Sequence, residues 1–357
     1  MDKAMATEYR KIQLIGGSSY AVTLPKDWVS EVKLRPGDFV TIQKQSDLSL
    51  LLVPQKTGKP VEQAYGEAIV EVNDVTDMER IYRMIVGFYL VGYRTIRVKF
   101  TRRCSEARNK LVEFIRKKLL GVEVVEERVD EIALQTFIEF REFPSIKLVT
   151  RMMTITQSML TDAIQALFDL DAELSRDIIE RDDSVDRLYL LSVRQLKRAV
   201  EDRNILRELE IKDFRHVLGY RLIAKSIERA ADHAARIAEV SAKLHEHVID
   251  SLRLVIVELA KYANTMLENS WRALVKMDMD LANDVISNRK KILSMVEEAS
   301  YIVLENYKDT KTVMNLGLVL ESLKRITEYA CDIAEIVINL AIGNRDRLRI
   351  GKPVEER

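Results

Sequence analysis

Cysteine, proline and glycine are scarce in this chain, at 2, 6 and 12 of 357 residues. Cys104 and Cys331 have neither metal-ligand spacing nor a disulfide-scaffold pattern, which argues against a cystine-stapled secreted fold and fits a reducing cytoplasm. Few backbone breakers together with 47% hydrophobic content imply an ordered, largely helical chain. An excess of either charge is also missing. The 56 Lys and Arg residues cancel 56 Asp and Glu, so no global field draws the chain onto nucleic acid and any such contact needs a local patch. No uncharged run reaches the roughly 18 residues of a membrane span, and the stretch Met1–Glu8 has no apolar signal core. The expectation is a cytoplasmic protein, long enough for two or three domains.

What the chain does contain changes character along its length. Residues 8–54 alternate short β-rich runs with one helical turn. Arg10–Ile15 and Tyr20–Leu24 flank the turn Gly16-Gly17-Ser18-Ser19, Pro25 opens a helix over Lys26–Val32, and Phe39–Lys44 pairs with Leu48–Val53 across Gln45-Ser46-Asp47. A β-β-α-β-β unit this small, without disulfide or metal, buries too little apolar area alone, so it is expected to complete its core as a homodimer.

The run Gly17-Ser18-Ser19-Tyr20-Ala21-Val22-Thr23-Leu24-Pro25-Lys26-Asp27-Trp28, followed by Leu34-Arg35-Pro36-Gly37-Asp38, resembles the SpoVT–AbrB swapped-hairpin DNA-binding family. That resemblance implies an interleaved dimer with hinge loops and a basic strand facing DNA. It makes Arg10, Lys11, Ser18, Ser19 and Lys26 the candidate phosphate or base contacts. Asp27 and Glu31 on the same helix depart from a strongly basic surface, and a purely dimerising module is the alternative.

Pro54–Pro60 reads as a linker. Beyond it, Glu67–Val72, a helix capped by Thr76 and Glu79 and ended by Gly92, Thr95–Phe100, a helix over Ser105–Leu120 ended by Gly121, and strands over Val122–Val129 and Glu131–Phe140 give the order β-α-β-α-β-β. This predicts a small α+β sandwich with helices on one face of a sheet. Arg97, Lys99, Arg102, Arg103, Arg108 and Lys110 form a basic cluster, which either meets DNA or an acidic partner or is simply a solvated face.

From Pro144 onward long helices take over, with Ser145 expected to cap the first. Helices are expected over residues 145–169, 171–202, 213–245, 248–277, 280–306 and 312–342. The most informative stretch is Leu222–Val240. Ile223, Ile227, Ala230, Ala234, Ile237 and Ala238 recur every three or four residues as one stripe, and Glu228 and Asp232 stack one turn apart. That acidic pair is either a solvated edge or half of a metal site. Ser226–Glu239 aligns without gaps to Ser322–Glu335, and Ile178–Asp186 aligns more loosely to Val285–Leu293, so a three-helix unit is duplicated. In the second copy Arg289 and Leu293 stand for Asp182 and Asp186, while Lys324 and Glu328 stand for Glu228 and Asp232. Lys324 is expected to neutralise Glu328, leaving no metal site there.

The signatures Asp182-Asp183-Ser184-Val185-Asp186 and Glu228-Arg229-Ala230-Ala231-Asp232-His233-Ala234-Ala235-Arg236-Ile237-Ala238-Glu239 closely resemble the PhoU family of phosphate-uptake regulators, over about residues 145–343. The resemblance implies tandem three-helix bundles and iron or another metal at paired acidic motifs. From the residues themselves, opposed faces would bring Asp182, Asp186, Glu228 and Asp232 together, tenable only if solvated or neutralised by hard cations. Asp183 and His233 lie beside them, either as outer partners or, for His233, as a surface or bundle-edge histidine.

The expected fold is therefore multidomain and mainly α. A β-rich hairpin (1–55) precedes the α+β module (61–143), two three-helix bundles (145–245 and 246–343) and a polar tail (344–357). The expected function is a phosphate-responsive, DNA-binding regulator that meets a phosphate transporter's ATPase or a sensor. The alternative is an adaptor acting by protein contact only. No nucleophile stands at usable spacing from a base, and His216, His233, His245 and His247 show no convergent partners, so an enzyme is disfavoured. A metallohydrolase on the carboxylates stays open.

Overall fold

The computed structural model describes residues 8–44, 48–54, 66–73, 77–101 and 105–342. The linker after Pro54, Gln45-Ser46-Asp47, Thr76, Arg102, Arg103, Cys104 and the polar tail lie outside these residues. The chain forms two units, residues 1–63 and 64–357.

In the first unit β1 (Gln13–Ile15) and β2 (Ser19–Ala21) make an antiparallel hairpin whose turn places Gly16 and Gly17 at φ of 61° and 74°. Both values lie in the left-handed region that glycine reaches without a Cβ penalty. α1 (Lys26–Glu31) follows, then Asp38 closes a turn by accepting from the Arg35 backbone N–H at 2.7 Å, and β3 (Val40–Lys44) pairs antiparallel with β4 (Leu50–Pro54). No described side chain of this unit is buried; Ile12, Leu14, Tyr20, Phe39, Ile42 and Leu50 are all exposed.

The second unit begins with a four-stranded sheet in the order β5-β6-β8-β7. It is formed by β5 (Glu67–Val72), β6 (Thr95–Phe100), β7 (Val122–Glu127) and β8 (Glu131–Thr136), with β5 and β6 parallel and the rest antiparallel. The parallel pair needs a crossover, which α2 (Met78–Val91) supplies. α2 and α3 (Ser105–Lys118) share one face of the sheet, where Ile85, Tyr89, Leu111 and Ile115 meet Ile96, Val98, Ile132 and Leu134. Asp77, one residue after the expected Thr76, caps α2 by accepting from the Arg80 N–H at 2.9 Å. Of the basic cluster read here, three of the four described members are spent on internal pairs. Arg97 lies on the open face of the sheet and pairs with Glu67 (2.6 Å), Glu126 (3.2 Å) and Glu131; Arg108 pairs with Glu127 (3.2 Å) and Lys110 with Glu106 (2.6 Å).

The remainder is helical: α4 (Ser145–Asp169), α5 (Ala172–Glu201), the short α6 (Arg203–Glu208), α7 (Phe214–Ser241), α8 (Asp250–Lys276), α9 (Met279–Ser287), α10 (Arg289–Asn306) and α11 (Thr310–Ile342). Pro144, not Ser145, occupies the position before α4, and no side chain caps it. The duplication is legible in the corners. α4 ends on Leu170 at φ 53° and Asp171 caps α5; α8 ends on Met277 at φ 50° and Asp278 caps α9. Each aspartate accepts two N–H groups of the following turn, satisfying donors the helix cannot pair itself. The copies differ at Asn288, where the counterpart of α5 is split into α9 and α10. Asn288 Nδ2 donates to the Asp284 carbonyl at 2.8 Å while its Oδ1 accepts from Tyr262 at 2.6 Å, and a side chain competing for the helix's own carbonyls bends the helix.

α7 packs on α4, α5 and α11, so it serves both bundles. Ile223, Ile227, Ala230, Ala234, Ile237 and Ala238 are all fully buried. Small residues let the axes approach: a Cβ at Gly219 would stand 2.6 Å from Leu340 Cδ2 of α11. Enlarging Ala234 to Leu is expected to destabilise the bundle by about 1–3 kcal/mol through overpacking. A urea midpoint unmoved by Ala234→Leu would contradict that close approach.

Candidate metal centre

α5 and α7 lie side by side and present aspartates to each other. Four-residue spacing puts Asp182 and Asp186 one turn apart on α5, and Asp232 faces them from α7. One carboxylate oxygen of each lies within 4.8 Å of the other two. Asp182 Oδ1 is buried without a hydrogen-bond partner, and among the described residues no cation lies within 4.0 Å of this carboxylate. Burial, together with the charges of Asp186 and Asp232, pushes Asp182 up to about 7. Burial and the neighbouring Glu228 and Asp186 push Asp232 up to about 6.

Glu228 is placed differently from the expected fourth corner. It is buried, but its Oε1 takes a 2.5 Å bond from Lys225, whose ammonium also sits 4.9 Å over the Tyr189 ring, and it is not one of the converging three. A lysine three residues back on the same helix takes this one oxygen, while Oε2 is buried without a hydrogen-bond partner. Asp183 is held by Lys117 at 2.8 Å and Lys118 at 2.6 Å. Its partial burial raises its pKa, but the two lysines outweigh this and the net shift is downward. His233 turns to α11, with Nδ1 3.3 Å from Ser322 Oγ and its ring 5.9 Å from that of Tyr329. Burial, with Arg236 and Arg325 nearby, lowers it to about 4, so it is neutral at pH 7.

Lys117 and Lys118 were not singled out from sequence. The signal was present as three successive basic residues in the last turn of α3, a pattern that complements a helix dipole equally well. Only the packing of α3 on α5 separates the two roles.

In the second copy Lys324 pairs with Glu321 at 2.9 Å, not with Glu328. Glu328 is instead neutralised by Arg325 and by Arg289, 3.5 Å away across the helices. Arg289 stands at the position of Asp182 and Glu328 at that of Asp232, so a fixed guanidinium occupies the cationic role there. The first copy has donors of the kind a hard cation takes: three carboxylates, one with an orphaned buried oxygen, at separations a cation bonded at about 2.0–2.6 Å can bridge. The residues fit such an ion.

The nucleic-acid candidates lie in the first unit. Ser18 lies in the β1–β2 turn, Ser19 opens β2 and Lys26 begins α1; these three and Lys11 are exposed, while Arg10 pairs with Glu8.

The second unit is thus a protein of duplicated three-helix bundles carrying one acidic cluster and one internally neutralised copy. Residues 149–241 and 256–337 match the model of the PhoU domain, and the chain belongs to the PhoU family. Residues 13–60 match the model described as antidote-toxin recognition MazE, bacterial antitoxin. The chain is 25% identical over 198 residues to the phosphate-specific transport system accessory protein PhoU homolog of Pseudomonas aeruginosa, covering 53% of this chain and 78% of that one. It is 27% identical over 209 residues to the homolog of Aquifex aeolicus, covering 57% and 93%. Among solved structures, the phosphate transport system regulatory protein PhoU from Streptococcus pneumoniae superposes with a TM-score of 0.49 at 19% identity, over 58% of this chain and 98% of that one. No described helix is long and apolar enough to cross a membrane.

Proposed function

We propose that this protein is a cytoplasmic, non-enzymatic regulator of phosphate uptake whose bundles meet a transporter's ATPase or a sensor and whose paired N-terminal hairpins contact DNA. The relatives named as accessory proteins of phosphate-specific transport support the first part. The observation that carries the metal reading is Asp182, a carboxylate with an orphaned buried oxygen between two others. Asp182, Asp186 and Asp232 would hold a divalent cation such as iron, which would neutralise them and tie α5 to α7. Glu228 would act through its charge on Asp232.

The DNA part rests on the MazE-like match and on a unit with no buried side chain among its described residues. Exposed Leu14, Phe39 and Ile42 need a cover, and a second copy supplies one with two-fold symmetry suited to a pseudo-palindromic operator. Arg10, Lys11, Ser18, Ser19 and Lys26 then face the duplex. Affinity for DNA is expected to fall with salt at a log–log slope of about −0.9 per phosphate engaged. Neutralising Arg10 and Lys11 together removes four charges from a dimer and should flatten that slope by about three to four. Filter binding or fluorescence anisotropy across salt concentrations measures it. The second reading, an adaptor with the hairpin as dimer contact only, is favoured by the Arg10–Glu8 pair and by Asp27 and Glu31 on α1. It takes over if no salt-dependent DNA affinity is found.

A further inference from the structure

The acidic cluster is not closed by the bundle alone. α3 belongs to the α+β module, and its last residue, Lys118, sends its ammonium to Asp186 Oδ2 at 2.8 Å and Asp183 Oδ1 at 2.6 Å. Lys117 adds a 2.8 Å contact to Asp183 Oδ2. Asp186 is therefore claimed twice, by a lysine of one module and by the converging carboxylates of the other.

The same module is attached to α5 at a second place of a different kind. Eight residues on from Asp186, about 12 Å along the helix, the buried Arg194 donates to the Tyr89, Gly92 and Tyr93 carbonyls at the end of α2, and Leu190 between them packs against the module's core. A divalent cation does not compete for a guanidinium spread over three neutral carbonyls as it does for a lysine held by carboxylates.

We propose that Lys118 is a displaceable internal counter-cation: a divalent ion entering between Asp182, Asp186 and Asp232 competes with it for Asp186 and loosens the end of α3, left held through Asp183 alone, while Arg194 keeps the module hinged on α5. This rests on the cation reading of the cluster. It gives the α+β module a role, since its docking geometry then reports the occupancy of the bundle. Only the first copy has the device. In the second, the equivalent positive charge is Arg289, which belongs to the bundle itself and moves nothing else.

Two measurements on the full-length protein test it. In calorimetric titration with Mn²⁺, Lys118→Met, which keeps the stem and loses the charge, is expected to bind about tenfold more tightly than wild type, the scale of one partly screened charge contact. Lys110→Met, whose lysine pairs with Glu106 elsewhere on α3, should bind as wild type does. In hydrogen exchange on wild type, Mn²⁺ should accelerate the amides of the last turn of α3 while those of Tyr89–Tyr93 stay protected. Equal Mn²⁺ affinity in wild type and Lys118→Met, or unchanged protection of α3 on loading, overturns the proposal while leaving the cation site standing. Failure of both proteins to take up Mn²⁺ removes the cation site and this inference with it.

Discussion

A divalent cation is expected to raise the unfolding temperature more at pH 8 than at pH 5, and Asp182→Asn to remove most of that rise. Asp182 and Asp232 titrate near 7 and 6 in the folded protein, well above the ordinary carboxylate value. A group whose folded pKa is raised binds its proton more tightly in the native state. The stability this brings is therefore complete below about pH 4, and it is lost as pH rises through 6 and 7. Asp183 works in the opposite sense, because its pKa is lowered and its contribution fades as pH falls. Without cation, then, the two raised aspartates make the bundle less stable in weak base than in weak acid, and Asp182→Asn should flatten that profile. A cation supplies positive charge where the proton leaves. Its effect is greatest above pH 7 and is opposed by the proton at pH 5. At a hundredfold excess over its dissociation constant it contributes about 2.7 kcal/mol, a shift of several degrees. The midpoint would follow this gain because an ion held by Asp182, Asp186 and Asp232 would join α5 to α7 within the bundle, whatever becomes of the contact from α3. Calorimetric scans of both proteins at the two pH values decide the matter. An asparagine variant that keeps the full rise would place the cation elsewhere.

Arg194→Ala is expected to cost about 3–4 kcal/mol and to open the α+β module ahead of the bundle. The guanidinium is buried, lies 4.8 Å over the Tyr89 ring, and donates to the carbonyls of Tyr89, Gly92 and Tyr93, the first of which also accepts the Gly92 N–H at 3.1 Å. Burial lowers its pKa only to about 10, so it remains charged at neutral pH and its bonds are charge-assisted. Such bonds are each worth about 1.5–3 kcal/mol and do not add fully. Next to them, Gly92 sits at φ 113°, where a Cβ would come within 2.4 Å of Arg198 Cδ, so the chain has no room to rearrange around a lost partner. Lysine at 194 should not rescue, because one ammonium cannot serve three carbonyls that a planar fork reaches together. Hydrogen exchange over α2 and the four strands is the readout, with Trp271 fluorescence in α8 reporting the bundle separately. Unchanged protection in α2 would show that the module is held by its apolar contacts alone.

The local features of this fold were legible before any coordinates. The stripe on α7 follows from period and composition, the strands of the α+β module from alternation and glycine placement, and the duplication from the ungapped alignment of Ser226–Glu239 with Ser322–Glu335 and the looser one of Ile178–Asp186 with Val285–Leu293. Asn288 was less accessible. It reads as an ordinary helix residue until Tyr262, 26 positions away, holds its side chain against the helix.

For the acidic site the division is sharper. Sequence alone determined that Asp182 and Asp186 share one face and Glu228 and Asp232 another, because residues four apart in a helix are neighbours whatever surrounds them. The same spacing places Lys225 beside Glu228 within α7. Tertiary structure decided which carboxylates meet across helices, and Asp186 was reached by Lys118 from 68 residues earlier in the chain. It decided equally that Arg289, a bare substitution in the alignment, stands opposite Glu328 as its counter-charge. A carboxylate takes whichever cation packing brings nearest, and that distance is set by the assembled helices, not by their order.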